Sequence, residues 1–238
     1  MPHRKLVARL QAVLGVSEDD RKKLANMPHA IKTFANGEFV VHQGDRTSRC
    51  TIVMSGFLSR QKVLGARNQI LSFYVPGDIP DLHTLHLPVM DHDLRSVGPS
   101  TLAFVTHSFL IDILVKSPAL MRAFWRETLI DAAIYREWVG NLGSRQAQPR
   151  LAHLLCELAT RLGIVGLLEQ DSFDLPFTQQ DFADALGLSA VHINRTIQEL
   201  RRQKLVEWEG RTVRLLRRSE LERLAEFDPS YLHLNKYE

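Results

Sequence analysis

The sequence predicts an α+β protein in three parts: an N-terminal β-roll with short helices before it, a long central helix, and a C-terminal winged helix-turn-helix. Three observations predict it. Between Ile31 and Val105, short β-rich runs alternate with Gly-centred turn signals. From Pro118 to Leu142 one helical pattern carries an apolar stripe. From Phe177 to Val206, two short amphipathic segments flank Gly187-Leu188 and lead into a hairpin pattern. The expected divisions are 1–117, 118–142 and 143–238.

Within the first part, Leu6–Leu24 places apolar residues at helical spacing and reads as one or two short helices. The β-rich runs are Phe39–His42, Thr51–Met54, Ile70–Val75 and Leu102–Val105. Asn36-Gly37, Gln43-Gly44-Asp45, Ser55-Gly56 and Pro76-Gly77-Asp78 punctuate them as turns. In the central helix, Met121, Trp125, Thr128, Ala132, Tyr135, Val139 and Leu142 recur at three- and four-residue steps. The stretch 143–149 reads as a hinge, and Arg150–Leu162 as a second amphipathic helix.

Composition limits the function. With 45% hydrophobic and 24% charged residues the chain has the balance of a globular protein. No apolar run approaches the roughly 20 residues that cross a bilayer, so no membrane partner is expected. The polar start at His3-Arg4-Lys5 lacks the apolar core of a signal peptide, which points to the cytoplasm. Cys50 and Cys156 are too few and too distant for a metal motif, and the cytoplasm disfavours a disulfide. The net charge of +3 says little, but its distribution says more. Arg195, Arg201, Arg202, Lys204, Arg211, Arg214, Arg217 and Arg218 face only Glu199, Glu207 and Glu209 in their stretch, a local basic patch.

The helix-turn-helix pattern carries the sharpest signal. Thr178 is a good N-cap, with Asp181 in the first turn suited to the helix dipole. Phe182, Ala185 and Leu186 form an inner face, and Ser189 caps the second helix. There Ile193, Ile197 and Leu200 share one face, and Val191, Asn194, Arg195 and Gln198 the other. The second set consists of base-reading side-chain types on a helix of major-groove length. Leu205–Trp208, a Glu209-Gly210 turn and Thr212–Leu215 make the wing. The candidate contacts to double-stranded DNA are Thr178, Gln179, Ser189, Val191, His192, Asn194, Arg195, Gln198, Arg201 and Arg211.

His83, His86, Asp91, His92 and Asp93 crowd a short stretch. His-x-x-His beside carboxylates is a possible divalent-metal set. It supports the alternative of a metal-binding cupin-like enzyme, or of a redox or metal sensor using His83, His86 and His92. Cupin ligands sit on facing strands, whereas these cluster in one loop-like stretch. No Gly-rich phosphate loop, nucleophile set or paired-carboxylate signature appears, so no enzyme, catalytic residue or cofactor is expected.

The order of these features resembles the Crp/Fnr family of bacterial regulators over nearly the whole chain. The matching residues are Asn36-Gly37-Glu38, Gln43-Gly44-Asp45, Ser55-Gly56, Pro76-Gly77-Asp78, Leu142-Gly143-Ser144-Arg145, Thr178-Gln179-Gln180-Asp181 and Asn194-Arg195. The resemblance implies a cyclic-nucleotide-binding-like roll and a transcription regulator that binds a pseudo-palindromic promoter site. It implies a homodimer joined through Met121, Trp125, Thr128, Ala132, Tyr135 and Val139, with RNA polymerase as a further partner. Arg195 matches a base-contact position of the family, whereas Ala190-Val191 replaces an Arg-Glu pair of some relatives.

The effector does not carry over. The cyclic-nucleotide branch has a Gly-Glu pair after Pro-Gly-Asp, then an Arg-Ser/Thr-Ala run whose arginine neutralises the phosphate. Here Ile79-Pro80-Asp81-Leu82 follows, and the arginine run falls on Met90-Asp91-His92. An aspartate there repels a phosphate. The oxygen-sensing branch needs four cysteines for its iron–sulfur cluster, and this chain has two.

Overall fold

A computed structural model describes residues 3–234. Two short helices, α1 (Arg4–Val13) and α2 (Glu18–Ala25), precede an antiparallel roll. Its strands are β1 (Ala30–Phe34), β2 (Phe39–Val41), β3 (Arg49–Leu64), β4 (Arg67–Tyr74) and β5 (Asp93–Thr106). The order is β1-β5-β3-β4, with β2 also on β5. The turns at Asn36-Gly37, Gln43-Gly44 and Pro76-Gly77 fall where the residues put them. Ser55-Gly56 does not make a turn. It is a bulge inside β3, which runs on as one strand paired to β5 on both sides of it. Gly56 has a positive φ of 79°, and a Cβ there would lie 2.4 Å from the Pro99 carbonyl oxygen.

A short helix α3 (His107–Lys116) leads into α4 (Pro118–Ser144), which ends two residues beyond the expected Leu142. Ser117 caps its start by accepting from the Leu120 amide, and Pro118 sits where a missing N–H costs nothing. The expected hinge narrows to Arg145-Gln146 before α5 (Ala147–Ile164) begins. Arg150 makes so tight a corner possible by donating to the carbonyls of Leu142, Arg145 and Leu186. These include carbonyls the end of a helix leaves without partners.

Helix α5 departs most from its expected character. Every residue from Leu151 to Leu162 is buried, so it is not amphipathic but enclosed on all sides. Its polar residues are paired inside. Arg161 donates to Asp78 Oδ2 at 2.7 Å, to Glu157 Oε1 at 2.9 Å and to the Phe73 carbonyl at 2.9 Å. Asp78 also pairs with Arg9 at 3.1 Å, and Arg9 with Glu127 at 2.7 Å. Glu157 accepts from Trp138 Nε1 and the Tyr231 hydroxyl. This chain of charges joins α1, the Pro76-Gly77-Asp78 turn, α4 and α5. Burial works against the Glu127 carboxylate and raises its pKa, while Asp78 and Glu157 hold the Arg161 guanidinium firmly charged.

The last part comprises β6 (Ser172–Asp174), α6 (Gln179–Leu186), α7 (Ala190–Arg202), β7 (Val206–Glu209), β8 (Thr212–Leu215) and α8 (Arg218–Ala225). Strand β6 pairs with β8 and makes the wing three-stranded. The core of this part is continuous with the roll. Phe177 stacks on Phe73 at 4.2 Å between ring centroids and meets Phe57 edge-on at 5.2 Å. Asn68 and Gln69 of β4 donate to the side chain and carbonyl of Asp184 in α6.

Removing one member of a buried ion pair strands the other charge. Arg161→Met is expected to lower stability by about 3–5 kcal/mol, measured as a shift in the urea midpoint. Adding Glu157→Gln should return part of that loss, because it removes a charge left without its cation. Equal losses in the single and double variants would contradict this account of the network.

Candidate nucleic-acid interface

The helix-turn-helix is built by local chemistry. Thr178 and Asp181 form a reciprocal capping box: the threonine hydroxyl accepts from the Asp181 amide, and the Asp181 carboxylate accepts from the Thr178 amide. Gly187 ends α6 at φ +64°, a left-handed conformation that few other residues take without strain. Ser189 then caps α7 by accepting from the His192 amide at 3.2 Å. Thr178 and Ser189 are therefore exposed, yet each hydroxyl is already committed to a helix start.

The two faces of α7 separate as their spacing requires. Ile193, Thr196, Ile197 and Leu200 are buried against the domain core. Val191 is 81% exposed, and Asn194, Arg195 and Gln198 are exposed beside it. His192 is half-buried at the edge of this stripe, and Gln179 is exposed in the first turn of α6.

The basic patch divides into used and unused charges. Arg202 pairs with Glu199 at 2.6 Å, and Arg218 is held by Asp171 and Glu222. Arg217 caps the end of α7 by donating to the carbonyls of Gln203 and Lys204. Arg201 donates to Gln198 Oε1 at 3.3 Å, so these two expected DNA contacts first contact each other. Among the described residues Arg195, Lys204, Arg211 and Arg214 engage no carboxylate. Arg211 sits in the wing turn, which is Gly210-Arg211 rather than Glu209-Gly210, because Glu209 already pairs with Thr212. Lys204 and Arg214 carry free charge that the recognition-helix face alone does not reveal. The run of basic residues marks the patch, but the partners that silence half of it are set by tertiary contacts.

The expected dimerisation residues fall into two groups. Met121, Trp125 and Val139 are exposed, Trp125 at 64% and Val139 at 70%, and Leu129 joins them at 56%. Thr128, Ala132 and Tyr135 instead line a cavity of about 320 Å³ between α4 and the roll. The Tyr135 hydroxyl meets Arg60 and Tyr74 of its own roll, which corrects its expected place on an outward stripe. In a helix, positions three and four apart spread over an arc wide enough to serve both surfaces.

The histidine stretch is also regrouped. His86 is exposed and stands apart. His83, on the single turn Leu82–Leu85, comes together with Asp91 and His92 at the entry to β5. Asp93 is occupied elsewhere, accepting from the Gln43 amide. Burial holds His92 uncharged, its pKa pushed down to about 4, and lowers that of His83.

Residues 149–224 match the model of the Crp-like helix-turn-helix domain. The nitrogen fixation regulation protein FixK of Azorhizobium caulinodans is 28% identical over 215 residues, 88% of this chain and 86% of that one. The transcriptional activator protein FnrL of Cereibacter sphaeroides is 24% identical, over 81% of this chain and 79% of its own. Among solved structures, FixK2 from Bradyrhizobium japonicum superposes with a TM-score of 0.76 at 22% identity, covering 83% of this chain and 98% of that one. No helix among the described residues is long and apolar enough to cross a membrane. With an exposed recognition stripe, a wing bearing free arginines and relatives that regulate transcription, the chain carries a Crp-like helix-turn-helix domain and is a DNA-binding transcription regulator similar to those of the Crp/Fnr family.

Proposed function

We propose that the chain works as a homodimer joined along α4 and reads a pseudo-palindromic promoter site, with RNA polymerase as its further partner. The reading rests above all on the exposed stripe of Val191, Asn194, Arg195 and Gln198 opposite a buried face of α7. Arg195 matches the acceptor pair of guanine, Asn194 the donor–acceptor pattern of adenine, and Val191 a thymine methyl. The free charges of Lys204, Arg211 and Arg214 suit phosphate, which positions without specifying. Thr178, Gln179 and Ser189 offer phosphate the starts of α6 and α7. Trp125, Leu129 and Val139 offer an apolar surface on α4 that a second α4 would cover. The protein is proposed to act in the cytoplasm, without catalysis.

Nor is cyclic AMP the proposed signal. Met90 is packed in the roll core and Asp91 is an anion, at the positions where a phosphate-binding arginine run is needed. Calorimetry with cyclic AMP is expected to show no saturable binding that also tightens DNA binding.

Two further measurements test this reading. Trp125→Glu with Val139→Glu should give monomers in sedimentation and a large loss of DNA affinity. A wild-type monomer at micromolar concentration would end the dimer proposal. Arg195→Ala should cost about 2–6 kcal/mol on a symmetric site, since one contact of roughly 1–3 kcal/mol is made twice. It should also relax the base preference in a selected-site profile. Arg211→Ala should weaken all sequences alike and reduce the salt slope by about one unit for each phosphate it no longer neutralises. Half-sites should recur about 10 base pairs apart, centre to centre, or at a small multiple. If Arg195→Ala merely scales affinity with unchanged preferences, the base-reading role fails.

A further inference from the structure

We infer that His83 and His92, the latter oriented by Asp91, form a site for a divalent transition-metal ion at the rim of the cavity between the roll and α4. One ligand atom from each of the three residues lies within 4.8 Å of the others. Their two imidazole rings stand 5.2 Å apart between centroids. His92 is only 4% exposed. Its Nδ1 is 2.5 Å from Asp91 Oδ1, while its Nε2 is buried with no hydrogen-bond partner. His83 Nε2 is likewise buried without a partner. A buried polar atom with nothing to bond is costly, and two of them on neighbouring rings require an explanation. With Nδ1 donating its proton to Asp91, Nε2 of His92 is left as a bare lone pair. This is the carboxylate–imidazole arrangement that orients a metal-binding histidine.

The donor set selects the ion class. Two imidazoles, one of them backed by a carboxylate, suit zinc, cobalt, nickel or copper, whereas calcium and magnesium require mostly oxygen. Arg60, whose charge acts on both histidines, does not preclude the ion. Its guanidinium is already committed to Asp131 at 3.0 Å, the Tyr135 hydroxyl and the Pro80 carbonyl. His83, Asp91 and His92 line the same cavity as Arg60, Tyr74, Asp131 and Tyr135. Metal bound there would tie the turn carrying His83 to the start of β5, beside the contact that Arg60 makes with α4. The site stands on these residues alone and does not depend on how the chain reads DNA.

The test uses full-length protein freed of metal with a chelator and dialysed. Cobalt(II) titration followed by visible d–d absorption, and zinc titration by calorimetry, are expected to show saturable binding of one ion per chain. His83→Asn and His92→Asn should each remove the cobalt spectrum. Asp91→Asn should weaken binding by roughly 10–100-fold, as for a group that holds a ligand in place. His86→Asn, a change at an exposed histidine outside the cluster, should leave binding intact. Far-UV circular dichroism checks that each variant is folded. If His92→Asn fails that check, the partly exposed His83 gives the decisive variant. Absence of saturable binding overturns the site. So does binding that survives His83→Asn, or binding that His86→Asn removes equally.

Discussion

The Arg161 guanidinium is the point through which the two ends of this chain are held together. It sits on α5, inside the C-terminal part, and its partners are Asp78 and the Phe73 carbonyl of the roll. A charge that is 2% exposed cannot be left unpaired, so α5 must seat where Asp78 lies. Asp78 is presented by the Pro76-Gly77 turn. Gly77 has φ +103°, and a Cβ there would meet the Lys5 carbonyl oxygen at 2.8 Å, so the turn packs directly under α1. One ion pair thereby constrains helix, turn and N-terminal segment together.

From this anchor the DNA-facing surface follows. With α5 fixed, α6 lies against β4, and Phe177 fills the gap between Phe57, Phe73 and Phe182. The apolar face of α7 then closes the core, which leaves Val191, Asn194 and Arg195 outward. The recognition stripe is thus exposed as a consequence of burial elsewhere. Charges near the end of α7 that would compete for phosphate are spent on shape: Arg217 caps the helix and Arg218 bridges Asp171 to Glu222.

What the sequence revealed and what it hid divide along the range of the interactions. The winged helix was legible because its determinants are local: Thr178 with Asp181, Gly187, Ser189 and the spacing of Ile193, Ile197 and Leu200. The turns at Gly37, Gly44 and Gly77 were legible for the same reason. Ser55-Gly56 misled because a glycine with positive φ serves a bulge as well as a turn, and only pairing with β5 distinguishes them. Helix α5 misled because Glu157 and Arg161 look like a solvent face until Asp78, Trp138 and Tyr231 are brought to them from far along the chain. His83, His86, Asp91, His92 and Asp93 were grouped by spacing, whereas the fold keeps His83, Asp91 and His92 together and leaves His86 and Asp93 out.

The same distinction bears on the cavity beside α4. By residue type it is rich in cations: Arg9, Arg60, Lys62 and Arg161 all line it. By their partners, Arg9 and Arg161 belong to the buried carboxylates, and Arg60 to Asp131 and Pro80. At the three arginines a phosphate entering the cavity would have to replace those bonds rather than add to them, while facing Asp91, Glu127 and Asp131. Two imidazoles with unpartnered ring nitrogens present the opposite balance, since a cation gains ligands there. The chemistry of this roll is therefore set by which of its polar atoms remain unpaired, and the buried Nε2 atoms of the neighbouring His83 and His92 are the pair among them that a cation can join.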